Sequence, residues 1–578
     1  MSRPSKKLAL LVGLGMVPCW SLFAQDPPPA SVAAQDPAKK APSASAESRV
    51  IDKIIEEGQK KSQVMQTLDY LTNVIGPRLT ASPNMKRANN WTRDKLSEWG
   101  LKDAHLEAWG PFGRGWSLKR FSMQVVEPQC YPIIAHPKPW STGLPNGPVV
   151  GDAVLFDAKN DDDLAKYKGK LKDAIVLTAP TREVAARFNS QGVRLTDAEL
   201  LALADSPDPQ PRANRRSFQR RGRPAAAGAD VSATLNFIRK KDQFLLDEGV
   251  AALATPARSG DGGTIFVDGI ATVLRLPNAS PGQSQSAYAK DAGPSIPQVA
   301  LGIESYNRVV RALKQGEKIK IALDLAVQFH DDDLMSYNTV AEIPGSDLKD
   351  EIVMLGGHMD SWESGTGATD NAAGVAVCME AVRILKALNI QPRRTIRIAL
   401  WSGEEQGLYG SRAYVKEHFG GFDDGPVAYA EAFYNSFFTG DRLAPKFQPT
   451  KEYDKLSAYF NLDNGTGKVR GVYLEGNEAV RPIFRKWLEP FREMGASTIT
   501  SSATGGTDHT SFDAIALPGF QFIQDPVEYN ARTHHSNMDT YERIQPEDMK
   551  QASVIMAAFL YNTAMRDEKL PRKPAPTN

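Results

Sequence analysis

Residues 351–374 read EIVMLGGHMDSWESGTGATDNAAG. An apolar run over Glu351 to Leu355 ends in Gly356-Gly357-His358-Met359-Asp360. Ala368-Thr369-Asp370-Asn371-Ala372-Ala373-Gly374 then opens a helix predicted over Ala372 to Leu388. A short apolar run that feeds polar residues and then a helix is the repeating unit of an α/β sheet, and the unit recurs downstream. Further strands are predicted over Asn338 to Ile343, Thr395 to Trp401, Ala458 to Leu462, Gly471 to Leu474 and Gly519 to Ile523. Further helices are predicted over Gln406 to Glu417, Glu478 to Glu493 and Pro546 to Met565. The expected fold class is α/β, a mostly parallel central sheet flanked by helices. Ligands of such sheets bind beyond the C-terminal ends of the strands.

Three more strand ends carry unusual polar density. Ser402-Gly403-Glu404-Glu405-Gln406-Gly407 follows the run ending at Trp401. Asn461-Leu462-Asp463-Asn464-Gly465 follows the run ending near Phe460. His534-His535-Ser536-Asn537-Met538-Asp539-Thr540 lies past the run ending near Ile523. Brought to one sheet edge, these carboxylates would repel and raise one another's pKa unless cations neutralise them. Imidazole and carboxylate ligands without thiolate suit Zn²⁺, with Mn²⁺ or Co²⁺ as alternatives. In His358-x-Asp360 the carboxylate is placed to orient a metal-binding imidazole. Adjacent residues of an extended segment point in different directions, so one of Glu404 and Glu405 can bind metal while the other serves a water as general base. Taken singly each segment has an ordinary structural reading; Glu-Glu after a strand, for example, suits a helix N-terminus. Their combination and order carry the argument.

These segments resemble metallopeptidase family 28, the co-catalytic zinc aminopeptidases and plasma glutamate carboxypeptidase-like enzymes, over roughly 337–566. The resemblance implies a zinc exopeptidase fold with two Zn²⁺ per chain. It implies Asp370 as the carboxylate bridging both metals, His358, Glu405, Asp463 and His535 as further ligands, and Glu404 as general base, with Asp360 completing the catalytic set. One metal would see His358, Asp370 and Asp463, the other Asp370, Glu405 and His535. Ser536 stands where the family commonly has Thr. The histidine is doubled, and the spacing to Asp539-Thr540 favours His535 over His534. Gly505-Gly506-Thr507-Asp508-His509 also resembles a family segment, in which His509 reads as a structural hydrogen-bonding residue. A protease-associated domain, β-rich and shaping substrate access, is implied between the N-terminal helices and the metal segments.

The rest of the chain fits around this body. A length of 578 residues calls for more than one domain. The balance of 69 basic and 68 acidic residues excludes a globally cationic nucleic-acid binder. Three cysteines exclude a disulfide-stapled scaffold and a thiolate metal cluster. Residues 1–24 read as a signal peptide, with Arg3, Lys6 and Lys7 before an apolar stretch broken by Gly13, Gly15 and Pro18. The stretch is short for a membrane anchor, and Met16-Val17-Pro18 before Cys19 is a poor lipoprotein signal. The expected product is secreted or periplasmic, with no stable membrane insertion after signal removal. Residues 25–47 read as a Pro/Ala/Ser linker, 48–139 as an N-terminal helical part of the catalytic domain broken at Gly76-Pro77, 140–326 as the β-rich insert, and 327–578 as the catalytic domain. Insert strands are expected at Val149 to Phe156, Ala174 to Leu177, Val250 to Ala254, Thr264 to Val267 and Ile319 to Leu323. The arginine-rich run 207–224 reads as a solvated loop rather than a polyanion patch. His105, His136, His330 and His418 lie outside any motif, and Cys378 reads as a buried thiol.

The expected activity is an exported zinc exopeptidase acting on peptides. Aminopeptidase or dipeptidase action is favoured, with a carboxypeptidase as alternative. A single-zinc glutaminyl cyclase and a catalytically silent receptor-like module are rivals from other classes. The complete set of candidate ligands and base argues against the silent reading. A homodimer is compatible with the sequence, which specifies no oligomeric state.

Overall fold

The computed structural model describes residues 46–207, 209, 231–266, 286–422 and 447–574. The signal reading, all of the linker before Ala46 and nearly all of the arginine-rich run lie outside the described residues. The described residues open with helices Ala46–Lys60, Val64–Asp69 running into Tyr70–Ile75, and Pro83–Glu98. The last begins where its sequence says it should. The Ser82 side chain accepts the Met85 N–H at 3.1 Å, and Pro83 occupies the first turn.

The main sheet has eight strands in the spatial order Lys102–Trp109, Ser336–Ile343, Arg394–Trp401, Leu348–His358, Leu456–Asn461, Gly519–Gln524, Val469–Tyr473, Thr498–Thr500. Its centre, from Arg394–Trp401 to Gly519–Gln524, is parallel, and antiparallel pairings flank it. The central strands are buried on both faces, which is why they read as continuous apolar runs. Their register aligns the ends that matter: His358 pairs with Trp401, and Gly356 with Asn461. The residues after Trp401 and Asn461 are therefore delivered to one edge.

Helices cover both faces. On one, Ala373–Ala387 is buried from Ala373 to Leu385 and packs in a single core with Ile54, Leu68, Phe460, Phe484 and the helix Pro546–Met565. On the other, helices Tyr409–His418 and His509–Asp513 pack through Tyr414 and Phe512 onto Trp401 and Tyr459. Proline accounts for one departure from expectation. The predicted helix Glu478 to Glu493 divides into 3-10 turns Glu478–Val480 and Glu489–Met494 around Arg481–Leu488, with Pro482 and Pro490 each opening a segment.

A second eight-stranded sheet runs in the order Tyr131–Pro132, Gly115–Glu127, Lys320–His330, Val149–Leu155, Ile175–Leu177, Ala252–Pro256, Gln298–Leu301, Ala135–Pro137. Its strands span Gly115 to His330, so the pairing of Gly115–Glu127 with Lys320–His330 carries it beyond the expected 140–326 on both sides. Four of its strands are parallel neighbours, and helices Asp161–Tyr167, Val231–Asp247 and Ile303–Lys314 accompany them. The insert is therefore itself mixed α/β. The strand expected at Thr264 to Val267 is reduced, among the described residues, to one bridge between Phe266 and Ser536. Cys130 is exposed, Cys378 is buried, and both are free. No described helix is long and apolar enough to cross a membrane.

His418 clamps the antiparallel edge of the main sheet. Its Nε2 lies 3.0 Å from Glu107 Oε1 and its Nδ1 3.3 Å from Glu452 Oε2. Burial alone would lower its pKa; the hydrogen bond to Glu107, that residue's charge and the bond to Glu452 raise it above the usual imidazole value. A raised folded value means stabilisation that is complete below about pH 6.5 and is lost as pH rises through the folded pKa. Urea unfolding between pH 6 and 9 should show this loss, and His418→Gln should flatten it. Identical pH slopes for the two proteins would exclude the clamp.

Candidate active site

The four polar segments meet around Asp370, which is 4% exposed. His358 Nε2 lies 3.1 Å from Asp370 Oδ1 and 3.5 Å from Asp463 Oδ2. His535 Nε2 lies 3.2 Å from Asp370 Oδ2 and 2.9 Å from Glu405 Oε2. Two imidazole–carboxylate sets thus share one aspartate. Ligand atoms on a tetrahedral Zn²⁺ at 2.0–2.1 Å stand about 3.3 Å apart, the spacing found here. His358 Nε2, Asp370 Oδ2 and Glu405 Oε1 are buried and make no hydrogen bond among the described residues. Buried polar atoms left in this state point to an unlike partner, and a divalent cation fits the donor set. His358, Asp370 and Glu405 could hold one, and so could His358, Glu404 and Asp463, or Asp370, His534 and His535. His534 therefore also reaches the site, with Nε2 3.7 Å from Asp370 Oδ2 and its ring tilted against that of His535, centroids 3.8 Å apart. His535 makes the closer contacts.

Each side chain is held by its local backbone. The Asp370 and Thr369 N–H groups donate to Asp539 at 3.2 and 2.5 Å, so the Asp539 of the histidine loop fixes the turn that carries Asp370. The Asp370–Asn371 peptide is cis. Asn371 Nδ2 donates to Leu462 O at 2.9 Å, and a Cβ at Gly374 would fall 2.2 Å from that same oxygen, which is why the helix opens on glycine there. Asp463 Oδ1 accepts the Asn464 N–H at 2.6 Å, and Gln521 donates to the Asp463 carbonyl.

Asp360 requires a correction. Its carboxylate does not orient His358, for which Nδ1 meets the Asp360 backbone carbonyl at 3.0 Å and the carboxylate only at 3.7 Å. The carboxylate accepts the Thr80 hydroxyl at 2.9 Å and the Glu404 and Glu405 N–H groups at 3.3 Å each. A turn that must place two acids is thus anchored by a third.

The electrostatics follow from crowding acids out of water. Burial, then Asp508, Asp463 and Glu405, push the Glu404 carboxyl well above its usual value despite His358. Burial and Asp370 raise Glu405 to about 7, and burial raises Asp508 and Asp539 to about 7. Burial opposes charge on the imidazoles too, but the acids raise His358 well above 6.5 and Glu405 and Asp370 take His535 to about 11. Asp370, between the two imidazoles, is pulled down in spite of its burial. Without cations the cluster retains protons, and divalent ions would replace them.

Two contributors escaped the sequence reading. Arg78 is fully buried beneath the acids. Its guanidinium donates to the carbonyls of Met359, Leu71, Gly76, Thr366 and Gly367 at 2.7–3.2 Å. Burial lowers it to about 10, against the charges of Asp539, Asp360, Asp370 and Glu405. Nothing in Gly76-Pro77-Arg78 resembles a ligand motif. Asp508 is buried with both carboxylate oxygens lacking a hydrogen bond among the described residues. It stood in a noted segment, but its neighbour His509 drew attention first. His509 Nε2 lies 3.4 Å from Glu475 and belongs to no ligand group. Of the other histidines, His105, His136 and His330 also lie outside these ligand groups.

Residues 338–560 match the sequence model of peptidase family M28. That segment belongs to peptidase family M28, and the chain is a metallopeptidase. Carboxypeptidase Q of Mus musculus is 24% identical over 516 residues, covering 89% of this chain and 88% of that one. Leupeptin-inactivating enzyme 1 of Streptomyces exfoliatus is 26% identical over 184 residues, 32% of this chain. The crystal structure of a Peptidase M28 precursor from Shewanella amazonensis superposes with a TM-score of 0.56 at 23% identity, covering 92% of this chain and 99% of that one. That likeness concerns the fold.

Arg78 tests how far this M28 site depends on a fixed counter-charge. Lysine keeps the charge but not the planar fork, so several buried carbonyls would go unsatisfied. Arg78→Lys should lower unfolding stability by about 3 kcal/mol or more, read by urea denaturation. A lysine variant as stable as the parent would contradict the role.

Proposed function

We propose that this chain is an exported, di-zinc exopeptidase that removes terminal residues from peptides. The observation that carries the reading is the pair of imidazole–carboxylate sets sharing Asp370. His358, Asp370 and Asp463 would hold one Zn²⁺, and Asp370, Glu405 and His535 the other. Metals bound there would polarise the scissile carbonyl and make water a ready nucleophile near neutral pH.

The chain's own groups supply the rest. The Glu404 carboxylate, Oε2 3.9 Å from His358 Nε2, takes a proton from the attacking water and delivers it to the leaving amine. Asp360 holds the Glu404 and Glu405 N–H groups and so aims both side chains. Trp362, in edge contact with the His535 ring at 5.9 Å, helps line a narrow cleft with Gly365, Gly367 and Ser536. The inserted domain bounds the same edge through the Phe266–Ser536 bridge, in keeping with a role in shaping substrate access.

Aminopeptidase or dipeptidase action stands beside a carboxypeptidase reading. The second is favoured by one observation: relatives named carboxypeptidase Q match across the insert as well as the catalytic sheet, whereas Probable leucine aminopeptidase 2 of Arthroderma benhamiae matches over 39% of the chain. Export rests on the reading of residues 1–24.

Glu404→Gln should retain metal, near two equivalents by elemental analysis, while kcat falls about 10²–10⁴-fold. A variant with parental turnover would remove Glu404 from the mechanism. Dialysis against a chelator should abolish cleavage and Zn²⁺ should restore it. With N-blocked and C-blocked dipeptides, loss of cleavage on N-blocking alone marks an aminopeptidase, and loss on C-blocking alone a carboxypeptidase. Loss on both marks a dipeptidase, and cleavage of both internally would overturn exopeptidase action.

A further inference from the structure

The loop that follows His535 is held from two sides. On the catalytic side, the Thr366 N–H donates to Asp539 O at 2.8 Å, and a Cβ at Gly365 would fall 2.6 Å from Ser536 O. The other side belongs to the inserted domain. The Ile265 N–H donates to Asn537 Oδ1 at 2.7 Å, Asn537 Nδ2 donates to Gly263 O at 3.1 Å, and the Asn537 N–H donates to Ile265 O at 3.2 Å. Phe266 and Ser536 continue the contact as an antiparallel bridge. Both ends of one side-chain amide and its backbone N–H are thus committed to residues 263–265. Ser536 beside it is 1% exposed, so the contact is not a loose surface touch.

This grip falls two residues from a side chain whose placement is demanding. His535 sits at φ 59°, the left-handed region, which costs a non-glycine residue about 1–2 kcal/mol. Such a conformation persists only where the surroundings over-determine it. Its Nε2 must meanwhile stay against Asp370 and Glu405 at once. The catalytic side holds Asp539 and Ser536, and the insert holds Asn537 between them.

We propose that Asn537 is a positioning residue for the metal site, and that through it the inserted domain sets the affinity of the metal position served by His535. The inference rests on reading His535 as a ligand. It makes the insert part of the metal site's support, in addition to any part in substrate access. Coupling of this kind is reciprocal: metal at His535 tightens the contact with Gly263 and Ile265 as much as that contact tightens metal.

The test uses the full chain, stripped with a chelator and titrated with Co²⁺, whose visible absorption reports binding directly. Removing the support of a ligand typically weakens metal binding about 10–100-fold, so Asn537→Ala should bind Co²⁺ at least about tenfold more weakly in its affected step. Asn307 is the control. It makes the same two side-chain bonds, accepting the Arg182 N–H at 3.0 Å and donating to Arg182 O at 2.6 Å, wholly within the insert. Asn307→Ala should lower Tm and leave Co²⁺ affinity unchanged. Unchanged affinity in Asn537→Ala, or equal weakening in both variants, overturns the proposal. Should Asn537→Ala not fold, hydrogen exchange on the parent protein decides: Co²⁺ should slow exchange of the Ile265 N–H, and an unaffected rate overturns it. A parent protein that takes up no Co²⁺ would instead overturn the metal reading itself.

Discussion

Asp370 lies between His358 and His535, within 3.2 Å of both, inside a ring of buried acids comprising Asp360, Glu404, Glu405, Asp463, Asp508 and Asp539. Concentrating so many carboxylates away from water is unfavourable in proportion to their number and burial, and protein packing alone cannot offset it. Each neighbouring feature answers that constraint. Asp360 and Asp539 are relieved by backbone N–H donors. Arg78 supplies a permanent positive charge that cannot be given up at working pH. Among the described residues, atoms of His358, Asp370, Glu405 and Asp508 in this cluster still lack a hydrogen bond. Divalent cations held by these residues would complete a charge balance that the chain leaves open.

The fold makes that concentration possible through register rather than through any one motif. Parallel neighbours end together, so His358, Trp401 and Asn461 arrive at one edge and the segments after them converge. Arg78 shows that the strand ends alone would not suffice. Its guanidinium ties the carbonyl of Met359, beside the first imidazole, to those of Thr366 and Gly367, which open the turn bearing Asp370. The N-terminal helices are thereby stitched to the active edge as well as packed against the sheet.

What could be read beforehand divides along physical lines. Continuous apolar strands, the helix Pro546–Met565 and the grouping of the acid and histidine segments are properties of local sequence, and local sequence displays them. The Asp360 carboxylate was legible as important but not in its orientation, because a backbone carbonyl competed for the His358 Nδ1 and backbone acts alike in every sequence. Arg78 was invisible for the same reason: its partners are carbonyls, which leave no residue-type signature. The extent of the second sheet was misjudged because Gly115–Glu127 and Lys320–His330 pair across some two hundred residues. The first of these strands alternates polar and apolar positions too irregularly to announce itself.

The same argument explains why the inserted domain could look separable in sequence and yet is not separable in the molecule. The second sheet packs a core of its own around Ile175, Ala252, Leu301 and Ile321. But its residues 263–266 leave that core to pair with Ser536 and Asn537, and Arg194 reaches out to Asp525 and Asp548 at 2.9 and 2.8 Å. Asp525 and Asp548 are themselves buried. Asp525 is also paired with Arg470 of the main sheet at 3.1 Å, whereas withdrawing Arg194 would leave the buried Asp548 carboxylate without that counter-charge. The region of the second sheet meets the main-sheet body at several places, among them the Asn537 contact beside His535, the Val193–Val527 bridge and the pairing of Arg194 with Asp525 and Asp548.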